Sequence, residues 1–241
     1  MLTALRRARR SLPLTFRADA AELLDGGQLS RAEVSRNLAD LARLNRLPGG
    51  TGASIAGIRR LLDGDATARI LDAGTGRGDM PIAFAARRGW ETSAVDTHPE
   101  VLSIARRSTA TEQRIQVIEG DARSLPFADD SFDVSHCSLL MHHLDPGEAV
   151  AVLRELRRVA RRGVVINDLR RGLLPLVGTA LSVGAVGGSR VTRHDGMISA
   201  RRAYTLEELD KLVGEAGLAV RWRSPRWMPR VVTATTPIIA G

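Results

Sequence analysis

Between Ala68 and Leu169 the chain alternates short apolar runs with amphipathic stretches, and the first run, ARILDAG, leads into the glycine cluster of LDAGTGRGDMP. No other feature constrains the fold as much. ETSAVD, IQVIEGD, SFDVSHCSLLM and VVINDL read as further strands, and DMPIAFAARRG, PEVLSIARRST and PGEAVAVLRELRRVARRG as helices among them. Such a rhythm predicts an α/β fold. A parallel neighbour is reached only by a crossover, so the helices cover both faces of a mostly parallel sheet. Further on, YTLEELDKLVGEAGL is a helix started by a Thr205–Glu208 capping box and suited to end at Gly217. AVRWRS and RVVTATT are two last strands joined by PRWMP.

Ahead of the sheet, residues 1 to about 50 read as a helical cap. LSRAEVSRNLADLARLNRLPGG places Val34, Leu38, Leu41 and Asn45 along one helical face, with Leu44 beside it, and Pro48-Gly49-Gly50 ends it. Ile55, Ile58, Leu61 and Leu62 mark a second amphipathic helix. The longest uncharged run, Gly172 to Gly188, is short for a membrane span and is broken by Pro175 and glycines. It is expected to be a buried or pocket-lining helix, with weak membrane contact as the lesser alternative. The arginine-bearing start MLTALRRARRSLPLTF has no apolar core of the kind a secretory signal needs. One cysteine, Cys137, permits no internal disulfide. Both observations lead us to expect a cytoplasmic protein.

A net charge of +8 raises the question of a nucleic-acid partner. Two observations weaken that reading. The arginines are scattered through amphipathic helices, and aromatic residues, the platforms for base stacking, make up only 3% of the chain. Lys211 is the sole lysine, so the basic balance is nearly all arginine, as GC-rich codon usage alone would give.

In an open parallel sheet, ligands bind beyond the carboxyl ends of the strands, near the point where strand order reverses. Gly74, Gly76 and Gly78 form G-x-G-x-G at the end of the first strand, where backbone can turn sharply and approach a ligand closely. The third glycine of a dinucleotide loop would fall at Asp79, whose carboxylate is better tolerated by a ligand without phosphate. Asp96 closes the second strand, where a carboxylate can accept from both ribose hydroxyls. Asp121 follows the third strand and could accept from an adenine amino group, with Ala122 offering its N–H. Asp72 can orient the glycine loop or face a cationic ligand. Each of these acids could instead be an ordinary cap or turn residue.

In this order the glycine loop, the acid after the second strand, EGDARSLPF after the third and LPFADDSFDVSHCSLLMHHL at the fourth resemble the class I S-adenosylmethionine-dependent methyltransferases. The similarity is to the small-molecule group of ubiquinone and menaquinone methyltransferases, and it covers about Arg69 to Asp168. It implies a Rossmann-like seven-stranded sheet whose last strand is antiparallel, and S-adenosylmethionine as cofactor. Asp72, Ala73, Gly74, Gly76 and Gly78 match the cofactor loop, Asp96 with Thr97 the ribose position, and Asp121 with Ala122 the adenine edge. Cys137, at the cofactor end of the fourth strand, joins this set as a small buried side chain. Asn45 and Arg46 could close over the cofactor from the helical cap, or be a plain helix end. Residues 51–241 would then be the methyltransferase domain, with 170–205 an insertion on the acceptor side.

A sulfonium methyl is already electrophilic, so the protein has to position the acceptor and remove its proton. A phenol resembles tyrosine, with a pKa of about 10, and a histidine base helps at neutral pH. His142, His143 and His194 are the candidates. A His-His pair at this place recurs in the family across unrelated acceptors, so an architectural role stands beside the catalytic one. No metal is expected, because His136, Cys137, His142 and His143 lack paired-ligand spacing. The expected reaction is O- or C-methylation of an apolar or phenolic small molecule. NLADLARLNRLPGG, INDLRRG and ARRAYTLEEL also resemble bacterial methyltransferases associated with type III polyketide synthases, which act on phenolic lipids such as alkylresorcinols. The alternatives are an RNA methyltransferase and a non-catalytic cofactor-binding protein. Against RNA, the fourth strand lacks the Asn/Asp-Pro-Pro-aromatic signature of base-amine methylation. Cys137 also lacks the proline–cysteine context of cytosine C5 methylation. The sequence leaves the oligomeric state open.

Overall fold

The computed structural model describes residues 17–18, 22–23, 29–87, 89–228 and 230–238. The helical expectation for the remainder of residues 1–28 lies outside them. Among the described residues are eight α-helices and a seven-stranded sheet of order β3-β2-β1-β4-β5-β7-β6. The strands are β1 (Ala68–Ala73), β2 (Trp90–Asp96), β3 (Ile115–Glu119), β4 (Phe132–Ser138), β5 (Ala160–Leu169), β6 (Leu218–Arg223) and β7 (Arg230–Pro237). β1 to β5 pair in parallel, while β7 runs antiparallel between β5 and β6. Strand order reverses between β1 and β4, so their carboxyl ends open a crevice where a ligand can sit.

The helices are placed by their apolar faces. α1 (Arg31–Leu44) begins with a capping box between Ser30 and Glu33, and buries Val34 and Leu38 against Val101 and Ile104. The last two belong to α4 (Pro99–Thr109). α2 (Thr51–Leu62) sets Ile55, Ile58, Leu61 and Leu62 on one face of the sheet, with Phe84 of α3 (Asp79–Ala85) beside them. α5 (Pro146–Val159) and α8 (Leu206–Glu215) cover the other face with Leu153, Leu156, Leu209 and Leu212. Each such side chain contributes roughly 1.5–3 kcal/mol by leaving water. The expected Thr205–Glu208 capping box starts α8, and Gly217 follows its end with φ +73°.

Three sequence expectations are corrected here. The helix read through Gly163 stops at Val159, and ARRG instead opens β5. Sheet pairing overrides helix propensity, since Ala160 pairs with Phe132 and Arg161 is held by Asp133. The run from Gly172 forms α6 (Leu173–Ala185), which lines a cavity with Thr179, Ser182 and Val183 as one of the two expectations had it, but it is not buried, since Leu173, Leu174, Val177 and Leu181 face outward. The third is an omission. VTRHDGMISA lies in α7 (Arg190–Arg202), capped by Ser189, whose hydroxyl accepts from the Thr192 N–H.

Gly163 marks the irregular register between β4 and β5, with φ +147°. A Cβ there would stand 1.9 Å from the Thr235 carbonyl oxygen on β7. Gly163→Ala must therefore push β5 and β7 apart, at a cost of at least about 2 kcal/mol. Thermal denaturation followed by circular dichroism should show the midpoint fall by several degrees, and an unchanged midpoint would mean that the bulge relaxes freely.

Candidate active site

A cleft of about 590 Å3 lies at the carboxyl ends of β1 to β4. Its floor is the start of the glycine loop, Gly74 and Gly76, and these two and Gly78 behind them all take positive φ, at +69°, +57° and +84°. L side chains are strained there, which is why the loop is glycine. The Gly74 and Thr75 N–H groups donate to the Val95 carbonyl at 2.9 and 3.0 Å, tying the loop to the end of β2. Asp72 is buried beneath it, accepting from Thr75 Oγ1 at 2.7 Å and meeting His136 Nδ1 at 2.6 Å. His136 also reaches Ser54 Oγ at 2.9 Å and packs edge-on against Phe84, so it is a structural link between β4 and α2.

Asp96 accepts from the Gly76 and His98 N–H groups at 3.2 and 3.1 Å and borders the cleft with Thr97. Burial raises its carboxyl above the ordinary value, against hydrogen bonds from the His98, Gly76 and Thr97 backbone. Burial also raises Asp79, opposed by the 2.8 Å hydrogen bond from Asn45 Nδ2 and reinforced by the charge of Asp72. Asp121 and Ala122 line the far end of the cleft. The Asp121 carboxylate already accepts from Arg123 Nη2 at 2.8 Å, and that partner keeps its carboxyl below the usual range.

This chemistry tests what the cleft can hold. Five carboxylates, Asp72, Asp79, Asp96, Asp121 and Glu148, line it beside Arg77 and Arg123. A pyrophosphate would meet Asp79 directly. A ligand with vicinal hydroxyls and a cationic end meets acceptors throughout, and S-adenosylmethionine, with its ribose, sulfonium and ammonium groups, fits that description.

A second, smaller cavity of about 100 Å3 adjoins the cleft. Leu41, Leu139 and His143 line both. Leu139 has φ +55°, an uncommon conformation for a leucine, held by its N–H donating to the Asn167 carbonyl at 2.9 Å. Leu44, Leu47, Leu169 and Val183 make the rest of the cavity largely apolar. Its polar end is a buried cluster that the sequence reading only half found. His142 Nδ1 lies 2.5 Å from Asp168 Oδ1, and its Nε2 stands 3.6 Å from Glu22 Oε1. His143 Nε2 is 3.8 Å from Glu22 Oε2, and Ser199 Oγ donates to Glu22 at 2.6 Å. Burial alone would raise Asp168, yet the charge and hydrogen bond of His142, the Leu169 N–H and Arg230 hold its carboxyl below the usual value. An ionised Asp168 is an acceptor only, so His142 presents an N–H to it from Nδ1, and Nε2 is the ring atom directed at Glu22 and the cavity. Glu22, His142 and His143 also each offer one metal-ligating atom, all within 4.8 Å of one another.

Beneath both cavities, buried Arg230 of β7 donates to Asn167 Oδ1 at 3.0 Å, to Ser138 Oγ at 2.8 Å and to Asn45 Oδ1. Burial pushes its guanidinium down to about 10, against the charges of Asp168 and Asp79. Through Asn45 and Asp79 it joins the glycine-loop side to the acceptor side.

Five expected site residues lie elsewhere. His194 is half-exposed and paired with Asp195 at 3.0 Å, and it is Asp195 that borders the smaller cavity. Arg46 is exposed and off the cleft, where its neighbour Asn45 faces in, because the helix ends one residue earlier. Ala73 and Cys137 are buried within the sheet, and Gly78 caps α3 behind the loop. Burial, with the nearby charges of Asp168 and Asp72, pushes the Cys137 thiol well up, which removes it as a nucleophile. The missed residues are Glu22, Asp168, Asn167 and Arg230. Only Asp168 had a signal, its place at the carboxyl end of the fifth strand.

Comparison with known proteins agrees with this geometry. A methyltransferase-domain family matches residues 70–163. A demethylmenaquinone methyltransferase of Clavibacter sepedonicus is 37% identical over 128 residues, 51% of this chain and 51% of that protein. The methyltransferase GfsG of Streptomyces halstedii is 33% identical over 167 residues, 65% of this chain and 55% of its own length. The chain thus spans about half the length of these curated relatives. The crystal structure of an S-adenosylmethionine-dependent methyltransferase from Aquifex aeolicus superposes with a TM-score of 0.60 at 17% identity, covering 88% of this chain and all of that one. Over residues 70–163 the chain carries a methyltransferase domain, and its sheet order and the cleft at its switch point are those of the class I S-adenosylmethionine-dependent methyltransferase fold.

Proposed function

We propose that this chain methylates a small apolar acceptor carrying a phenolic hydroxyl, with S-adenosylmethionine as donor. The observation that carries the reading is the wall formed by Leu41, Leu139 and His143, shared by the acid-lined cleft and an apolar cavity that ends in a histidine–carboxylate cluster. When bound, the cofactor supplies an electrophilic methyl group. The chain's own residues do the rest. Asp96, Asp121 and the glycine loop hold the cofactor, and the apolar lining orients the acceptor ring and excludes water. His142 takes the hydroxyl proton on Nε2, while Asp168 fixes its ring and stabilises the charge it acquires. The resulting phenolate would take the methyl through oxygen, or through the adjacent ring carbon with later loss of that carbon's proton, and S-adenosylhomocysteine would leave as the thioether.

The relative from Clavibacter sepedonicus is named for demethylmenaquinone, an apolar acceptor, and this is in keeping with the proposal. The cavity volume suits a single ring, and a long-chain phenolic lipid enters only if α6 and α7 move apart. We also read residues 1–50 as a cap and 170–205 as an acceptor-side insertion on a domain of residues 51–241. In support, Glu22 and Leu41 come from the cap, and Val183, Asp195 and Ser199 from the insertion. Arg17 of the cap donates to the His142 and Leu144 carbonyls at 2.9 Å each. An RNA acceptor would call for a basic groove, and a largely apolar cavity speaks against it.

Incubation with methyl-labelled S-adenosylmethionine and monocyclic alkylphenols should give labelled product, and RNA should give none. Cofactor binding with no transfer to any hydroxylated aromatic would favour the non-catalytic reading. The Glu22–His142–His143 grouping also supports a second reading, in which a divalent cation there lowers the hydroxyl pKa. Activity that falls on chelation and returns with added metal would select it over the histidine base.

A further inference from the structure

We propose that the outer face of α6 seats this protein on the surface of an anionic phospholipid bilayer. Along that face Leu173, Leu174, Val177 and Leu181 are 68%, 81%, 48% and 69% exposed, and no charged residue occurs from Gly172 to Ser189. Spaced at i, i+1, i+4 and i+8, they form one continuous stripe. An exposed apolar stripe of this length marks an interaction surface rather than ordinary surface scatter. The inner face of the same helix is already used, with Pro175, Thr179 and Val183 buried.

The surroundings of the stripe select the partner. At its start Arg170 donates to the Arg226 carbonyl at 2.7 Å, which brings the β6–β7 connection alongside. That connection carries Trp227, 73% exposed, an indole of the kind that settles at the headgroup level. Arg170 and Arg226 share one acidic neighbour, Glu207, which leaves an excess of positive charge beside the leucines. Exposed Arg190 and Arg193 follow the other end of α6. Leucines and an indole with flanking arginines match an anionic lipid interface. A second copy of the chain would place like charges against one another, and a net charge of +8 opposes such pairing. With 13 residues α6 is too short to cross a bilayer, and no described helix is long and apolar enough to do so. It therefore lies flat on the surface. Since Thr179, Ser182 and Val183 on its inner face line the smaller cavity, docking would put that cavity next to the hydrocarbon from which an apolar molecule partitions.

The proposal goes beyond methyl transfer and is tested without it. The full chain is sedimented with phosphatidylcholine vesicles made with and without phosphatidylglycerol, while tryptophan emission is recorded. Binding is expected only with the anionic lipid, weakening as salt rises, with a blue shift that Trp227→Phe abolishes. Trp90 is buried and Trp222 packs on the core, so neither reports the surface. The double variant Leu174→Glu/Leu181→Glu changes only exposed positions and should weaken vesicle binding by at least about tenfold. Three results would overturn the proposal: no binding of the wild type to anionic vesicles at low salt, undiminished binding by the double variant, or a vesicle-free dimer that the double variant dissociates.

Discussion

Replacing Asp168 by asparagine is expected to lower kcat toward a phenolic acceptor by about 10^2- to 10^3-fold and to leave S-adenosylmethionine affinity within about twofold. The carboxylate is buried, lies 2.5 Å from His142 Nδ1 and also accepts from the His142 N–H at 3.2 Å. Asparagine keeps the volume but can present its amide N–H to Nδ1. That would move the imidazole proton to Nε2, where it blocks proton acceptance. His142→Gln should cost a similar factor, and the double variant little more, because the two residues act as one unit. A merely structural role for Asp168 would show as a lowered melting midpoint with kcat preserved at low temperature. A phenol already ionised at the assay pH separates the two further, since its methylation should lose far less than that of an ordinary phenol.

The second large effect belongs to Asp96. Asp96→Ala removes a charged acceptor for two hydroxyls and frees the Gly76 and His98 N–H groups it now holds. Charged hydrogen bonds contribute about 1.5–3 kcal/mol each, so cofactor affinity measured by calorimetry should fall at least about 100-fold. The sign of the pH dependence follows from burial. The ligand-free carboxyl is raised above its ordinary value, and only the ionised form accepts both hydroxyls. Affinity is therefore full above that raised pKa and falls as pH drops through it, about tenfold per pH unit below. The fall begins at a higher pH than an exposed aspartate would give, and Asp96→Asn should flatten this limb of the profile.

Much of this arrangement is legible in the sequence because it rests on local patterns. α4 spans the residues read for it, PEVLSIARRST, since proline at its start and an apolar face of Val101, Leu102 and Ala105 all favour one answer. The glycine loop and Asp96 are equally local, fixed by the end of one strand and the start of the next. What was misread depends on contacts distant in sequence. ARRG is helix-like by itself and becomes strand only beside Phe132 and Thr235. Glu22 and His142 are neighbours across 120 positions of chain, with nothing periodic to announce them. His194 attracted attention as a histidine between the right elements, but helical geometry turns it outward and Asp195 inward. The uncharged run of α6 read as buried or pocket-lining, and it lines the cavity on one side only, because exposure of leucine on a helix is a property of its partners, not of its own sequence.

The central claim is that the acid-lined cleft takes the cofactor with its reacting end toward the Glu22–His142–His143 cavity. A crystal structure with S-adenosylhomocysteine bound tests this most directly. The ribose hydroxyls should lie within hydrogen-bond reach of Asp96, the adenine near Asp121 and Ala122, and the sulfur at the wall formed by Leu139 and His143. A molecule bound with its sulfur facing solvent, or with its ribose away from Asp96, would contradict the account.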